Sequence, residues 1–138
     1  MDAADMKRYI DSSFPGIASV DNDGDTFWYY DPTGEGPPER WIPLATLVTG
    51  DRYDTVSDLG RPGRYRLNIG LTKATYQKLF GAPPEHIDYT ATDVLLPHPE
   101  YGSQHWVCVV NPSLDTVRDL LAEAYGFAVR KHANRTGR

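Results

Sequence analysis

The chain has 138 residues, 40% hydrophobic, 12% aromatic and 24% charged, which is the composition of a folded domain with a real core and excludes an intrinsically disordered chain. No apolar run approaches the roughly 20 residues that a membrane-spanning helix needs, and Met1 to Phe14 carries acids where a secretory signal carries bases, so a soluble, cytoplasmic protein is expected. Net charge is −5, and nineteen acids face only ten bases once the basic ending RKHANRTGR is set aside, which makes nucleic acid an unfavourable partner.

A single domain is expected over residues 1–131, with 132–138 as a flexible basic tail. The lone Cys108 has no intrachain partner for a disulfide, and its setting in VCVV favours burial over reactivity.

Asp2 can cap a first helix whose Met6, Tyr9, Ile10 and Ser13 share a face, and Phe14-Pro15-Gly16 ends it. Ile17 to Asp21 and Thr26 to Asp31 read as strands of a hairpin, because Asp23-Gly24 between them supplies the positive φ of a tight turn. A proline-rich loop over Pro32 to Arg40 leads to a third strand, Leu44 to Thr49. A charged connection, Gly50 to Gly63, precedes the fourth strand, Arg64 to Gly70.

Thr72 then caps a short helix that groups Tyr76, Leu79 and Phe80, and Gly81 closes it ahead of two prolines. Residues 82–104 are too long for a structureless loop, so Ile87 to Thr92 is expected to form a short edge strand or a turn. His105 to Asn111 is the last strand. Ser113 opens a C-terminal helix with Val117, Leu120, Leu121, Ala124 and Ala128 in one apolar stripe. The expected fold is α+β: a two-layer sandwich whose mainly antiparallel sheet of about five strands carries the N- and C-terminal helices on one face.

Phe27-Trp28-Tyr29-Tyr30 puts aromatics on both faces of its strand. If the helices cover Phe27 and Tyr29, then Trp28 and Tyr30 either lie beneath loops or line a concave ligand surface. Arg61, Arg64 and Arg66 form a basic patch that could hold an anion, but pairing with Asp51, Asp54 or Asp58 in the preceding loop is the favoured reading.

Several motifs fail on inspection. DNDGDT at 21–26 begins like a calcium loop, but Thr26 stands where glycine and Pro32 where glutamate is needed. Gly34-Glu35-Gly36 lacks the setting of a dinucleotide loop, and no phosphate loop or nucleophile elbow is present, so no cofactor is expected.

The residues with the most chemistry are Asp93, His98, Glu100, Tyr101 and His105, joined from the neighbouring strand by Arg66 and Asn68. His98, His105 and Glu100 are candidates for acid–base or metal-assisted catalysis. Only a folded-back loop could bring the two imidazoles together, and no metal set is assigned. Trp28, Tyr30, Arg66, Asn68, Tyr101 and Trp106 are the candidate ligand-binding residues.

FWYYDP, PLATLVT, SDLGRPGRYRLNIG, YTATDVLLPHPEYG and HWVCVVNPS run in an order that resembles the uncharacterised bacterial family catalogued as domain of unknown function 6194, a resemblance that implies no activity. More distantly, the strands, the HW step and the terminal helix are similar to the MmcQ/YjbR family, which implies a YjbR/frataxin-like fold and a DNA-associated role. The acidic body argues against DNA, and Asp2, Asp5 and Asp11 are too sparse for the iron-binding ridge of frataxins. Three functions are left open. The leading one is a noncatalytic module binding a small molecule or a protein, and the alternatives are a small enzyme and a DNA-associated regulator, in a monomer or homodimer.

Overall fold

A computed structural model describes residues 1–36, 42–82 and 85–136, with residues 135 and 136 described by their backbone alone. The second half of the proline-rich loop, the prolines at 83 and 84 and the end of the basic tail lie outside the described residues.

Helix α1 (Ala3–Ser13) starts at a capping box in which Asp2 and Asp5 each accept the other's backbone N–H. Its Met6 and Ile10, one turn apart, are fully buried. Strands β1 (Ile17–Asn22) and β2 (Asp25–Tyr30) form the hairpin, and both Asp23 and Gly24 have the positive φ that its two-residue turn requires. β3 (Ala45–Val48) and β4 (Arg66–Gly70) follow. Thr72 caps α2 (Lys73–Phe80), β5 (Leu96–Pro97) is a two-residue edge, and β6 (Trp106–Val110) leads to α3 (Leu114–Thr136). α3 therefore runs into the basic segment that begins at His132. Among the described residues no helix is long and apolar enough to cross a membrane.

The six strands lie in the order β1-β2-β3-β4-β6-β5, every neighbouring pair antiparallel. Register lines up Trp28, Ala45, Ile69 and Val107 in one cross-strand row and Leu47, Leu67 and Val109 in the next. Met6 and Ile10 of α1 and Val117, Leu121 and Ala124 of α3 pack with these rows to form the core. Each large aliphatic side chain buried there contributes roughly 1.5–3 kcal/mol relative to exposure.

The opposite face carries Phe27, Thr46, Asn68 and Cys108 in one row and Val48, Arg66 and Val110 in another. The face assignment of the aromatic strand is thus the reverse of the arrangement considered from sequence. Trp28 is 0% exposed under the helices and donates its indole N–H to Asp11 of α1 at 2.8 Å, while Phe27 faces away from them.

Two loops fold over that second face, and Arg64 ties them together. Lying just before β4, it donates to the carbonyls of Ser57 and Asp58 in one loop and of Thr90 in the other. Residues 87–92 form a turn plus a single bridge from Thr92 to Val110; the edge strand lies further on, at Leu96–Pro97. The cause is local, since Asp88 accepts both the amide and the hydroxyl of Thr90 and so bends the chain away from the sheet.

Candidate functional site

The open face holds a cavity of about 350 Å³ whose floor is polar and deeply buried. Arg66, from the middle of the sheet, is 2% exposed. It reaches Asp54 through a two-pronged ion pair, Nη1 to Oδ1 at 3.0 Å and Nη2 to Oδ2 at 2.7 Å. Nη1 also donates to Ser57 Oγ and Nε to Asn68 Oδ1, and Asn68 Nδ2 donates in turn to Thr46 Oγ1. Burial works to raise the Asp54 pKa, but the hydrogen bonds and charge of Arg66 outweigh it and hold this carboxyl below the usual range.

His98 stands between Pro97 and Pro99 at the turn of the second loop, where the chain folds back so that its amide bonds the Trp106 carbonyl. Its Nδ1 accepts the backbone N–H groups of Glu100 and Tyr101 at 3.1 and 3.0 Å. That leaves the proton of the neutral ring on Nε2. Burial, with a further push from the Arg66 charge, brings the His98 pKa down to about 4. Protonation would also set an N–H at Nδ1 against two amides that already donate there. His98 is therefore a neutral hydrogen-bond donor near pH 7, and a weak base.

The inventory of this floor is unbalanced. Both Asp54 oxygens and Asn68 Oδ1 are occupied by Arg66, while four of the five guanidinium N–H groups are used. Among the described residues, one hydrogen on Arg66 Nη2, one on Asn68 Nδ2 and the Nε2–H of His98 remain. Phe27, Pro43, Val48 and Trp106 supply apolar walls, and Tyr53, Glu100 and Tyr101 stand exposed at the rim.

Of the residues singled out from sequence, Arg66, Asn68, His98, Glu100, Tyr101 and Trp106 all line this cavity. The others lie elsewhere. Trp28 is in the helix-side core, and Tyr30 packs edge-on against Tyr125 of α3. Asp93 anchors the start of α3 by accepting from Ser113 N, Ser113 Oγ and Thr116 Oγ1. His105 ends the short turn Gly102–Gln104 with φ of 71° and sets its ring edge-on to Tyr76, on a second, neighbouring cavity. The loop does fold back, but it gives the two imidazoles different surroundings. Among the described residues, no group of three or more His, Cys, Asp or Glu could hold a metal ion.

Thr46, Phe27 and Tyr53 also line the cavity without having been singled out for it. Alternation along β3 and β4 marks Thr46 and Asn68 as buried polar partners once their pairing is known, whereas nothing local points to Tyr53. Cys108, in the same cross-strand row as Asn68, is buried, and that burial drives its thiol up to about 12.

Residues 1–137 match the model of a family of unknown function, DUF6194, and the chain belongs to that family. No curated protein and no solved structure matches it, so the likeness to the MmcQ/YjbR family gains no support.

Proposed function

We propose that this member of the DUF6194 family is a noncatalytic binding module whose open-face cavity takes a small molecule with an apolar or aromatic body and a hydrogen-bond-accepting group. The observation that carries the reading is the set of spare donors on a buried floor: among the described residues, Arg66, Asn68 and His98 retain N–H groups while Asp54 and Asn68 Oδ1 already accept from Arg66. Arg66 Nη2 and Asn68 Nδ2 each keep a second hydrogen beyond the bond they make, so a carbonyl or ring nitrogen brought there by apolar walls has donors to meet in a setting drier than bulk water. The Asp54–Arg66 pair is internally neutralised and His98 is uncharged, so a neutral acceptor suits the floor itself. The cavity volume of about 350 Å³ falls within the range of small-ligand sites.

The alternative of a small enzyme draws on His98 and Glu100, which share the cavity, but a histidine held near pKa 4 and already accepting two amides is better suited to orienting a ligand than to taking its proton. The acidic balance of the chain favours a small molecule over DNA.

The test is a titration followed by NMR with acetophenone, benzamide and ethylbenzene. The two carbonyl compounds should shift the side-chain signals of Arg66, Asn68 and His98 and bind more tightly than ethylbenzene. Absence of any such shift up to the solubility limit, or equal affinity for ethylbenzene, would refute the reading.

A further inference from the structure

Resting on that reading of the open-face cavity, we infer that its ligand is an organic cation. The accepting group meets Arg66, Asn68 and His98 on the floor, and an ammonium head sits at the rim beside the Glu100 carboxylate and the rings of Tyr53 and Tyr101.

Charge decides the class. Among the described residues that line the cavity, the acids and bases are Asp54, Arg66 and Glu100. Asp54 and Arg66 neutralise each other on the floor, and His98 is uncharged near pH 7, so the Glu100 carboxylate is left as the site's net charge. It stands exposed at the mouth, and among the described residues it accepts no hydrogen bond and meets no cation. Lys73 and Lys131 line the neighbouring cavity, with which this one shares Trp106 as a dividing ridge, so a positive head is directed away from them and toward Glu100. The ridge is held close to the sheet: Trp106 pairs in register with Gly70, where a Cβ would come within 3.0 Å of indole Cε2 and Cζ2.

The rim is fixed to the floor at two places. His98 Nδ1 accepts the amides of Glu100 and Tyr101, its carbonyl accepts the amide of Gly102, and the Tyr101 carbonyl accepts the amide of Trp106. One imidazole therefore turns its Nε2–H toward a ligand and sets the backbone that carries the rim carboxylate. The Tyr101 ring packs on that of His98, centroids 4.9 Å apart, yet is 48% exposed. Across the mouth Tyr53, 52% exposed, precedes Asp54, whose pair with Arg66 holds its loop against the sheet. Two large rings left to solvent beside an unpaired carboxylate suit a cation, which gains from a ring face as well as from the opposite charge. An anionic head would meet repulsion at the same mouth.

Three benzamides that differ only in the tail separate the contributions. 4-(2-Aminoethyl)benzamide carries an ammonium, 4-propylbenzamide is its neutral counterpart, and 3-(4-carbamoylphenyl)propanoate carries a carboxylate. Calorimetry and NMR on the full chain near pH 7 should find the ammonium compound bound about fivefold more tightly than the neutral one, the size expected of one solvent-exposed ion pair with a ring contact. The carboxylate compound should bind most weakly, and the spread should shrink as salt rises. The ammonium compound should move the amides of Glu100 and Tyr101 together with the side-chain signals of Arg66 and Asn68. In Glu100→Gln, with the circular dichroism spectrum intact, its advantage over 4-propylbenzamide should disappear. An advantage that survives in Glu100→Gln, or tighter binding of the carboxylate compound, would overturn the inference. If 4-propylbenzamide binds the unaltered protein as tightly as the ammonium compound, the small-molecule reading stands and this extension of it falls; if none of the three binds, both fall.

Discussion

Arg66 and Asp54 face each other across the boundary between sheet and loop, joined by two hydrogen bonds of 3.0 and 2.7 Å, and the loop from Gly50 to Gly63 is thereby fastened to the middle of the sheet. A guanidinium this deeply buried tolerates its position only because that carboxylate is beside it. Asp54→Ala should therefore cost about 3 kcal/mol, the lower end for breaking a buried pair, since Asp54 keeps a solvent-facing edge. Urea denaturation measures it, and a loss below about 0.5 kcal/mol, the range of an ordinary surface substitution, would mean that water already screens the pair.

Acid should weaken the fold through His98. Its folded pKa of about 4 lies below the ordinary 6.5, so between those values the unfolded chain binds more protons. The stabilisation is complete above 6.5 and is lost as pH falls toward about 4, amounting to about 3 kcal/mol in all. Unfolding free energies measured across that window should show a slope that His98→Asn, which retains an acceptor for the two amides, lacks. Asp54 adds a second loss at lower pH, because its depressed pKa keeps its contribution in place until the pH falls through that folded value.

Asp93 should prove structural. Asp93→Ala removes the acceptor for Ser113 and Thr116 and places alanine at a φ of 57°, for an expected loss of about 1–2 kcal/mol. Asp93→Asn, which keeps an acceptor and tolerates that backbone, should lose less than half as much in the same thermal or urea assay.

Gly70→Ala puts a methyl group against the Trp106 indole. The ring must move, and the change should cost about 1–3 kcal/mol and alter tryptophan fluorescence. An unchanged spectrum and midpoint would show that the ridge yields easily.

The thiol of Cys108, raised to about 12 by burial, should resist thiol-specific reagents in the folded protein and react on the order of a hundredfold faster in urea.

The parts of the fold that were legible in the sequence are those whose signals are local. Asp2, the Asp23-Gly24 turn, Thr72 and the apolar stripe from Val117 to Ala124 each act within a few residues of themselves. The orientation of β2 was not legible, because a strand aromatic on both faces has no preferred side; the Trp28 bond to Asp11 and the row through Ala45 and Ile69 decide it from a distance. β5 escaped for a related reason, since two residues ending in proline acquire strand geometry only by lying beside β6. At the site, Arg66 and Asn68 were legible as contributors from the strand beside the loop, whereas His98 and His105 share a loop and still part company, because their separation depends on a positive φ at His105 that spacing does not reveal.

That short β5 also governs how the molecule meets other chains. Pro97 has no N–H to offer, and the Tyr89 hydroxyl already occupies its carbonyl at 2.9 Å. One margin of the sheet is thereby closed to strand addition, and any chain that extended the sheet, a second copy included, would have to join alongside β1.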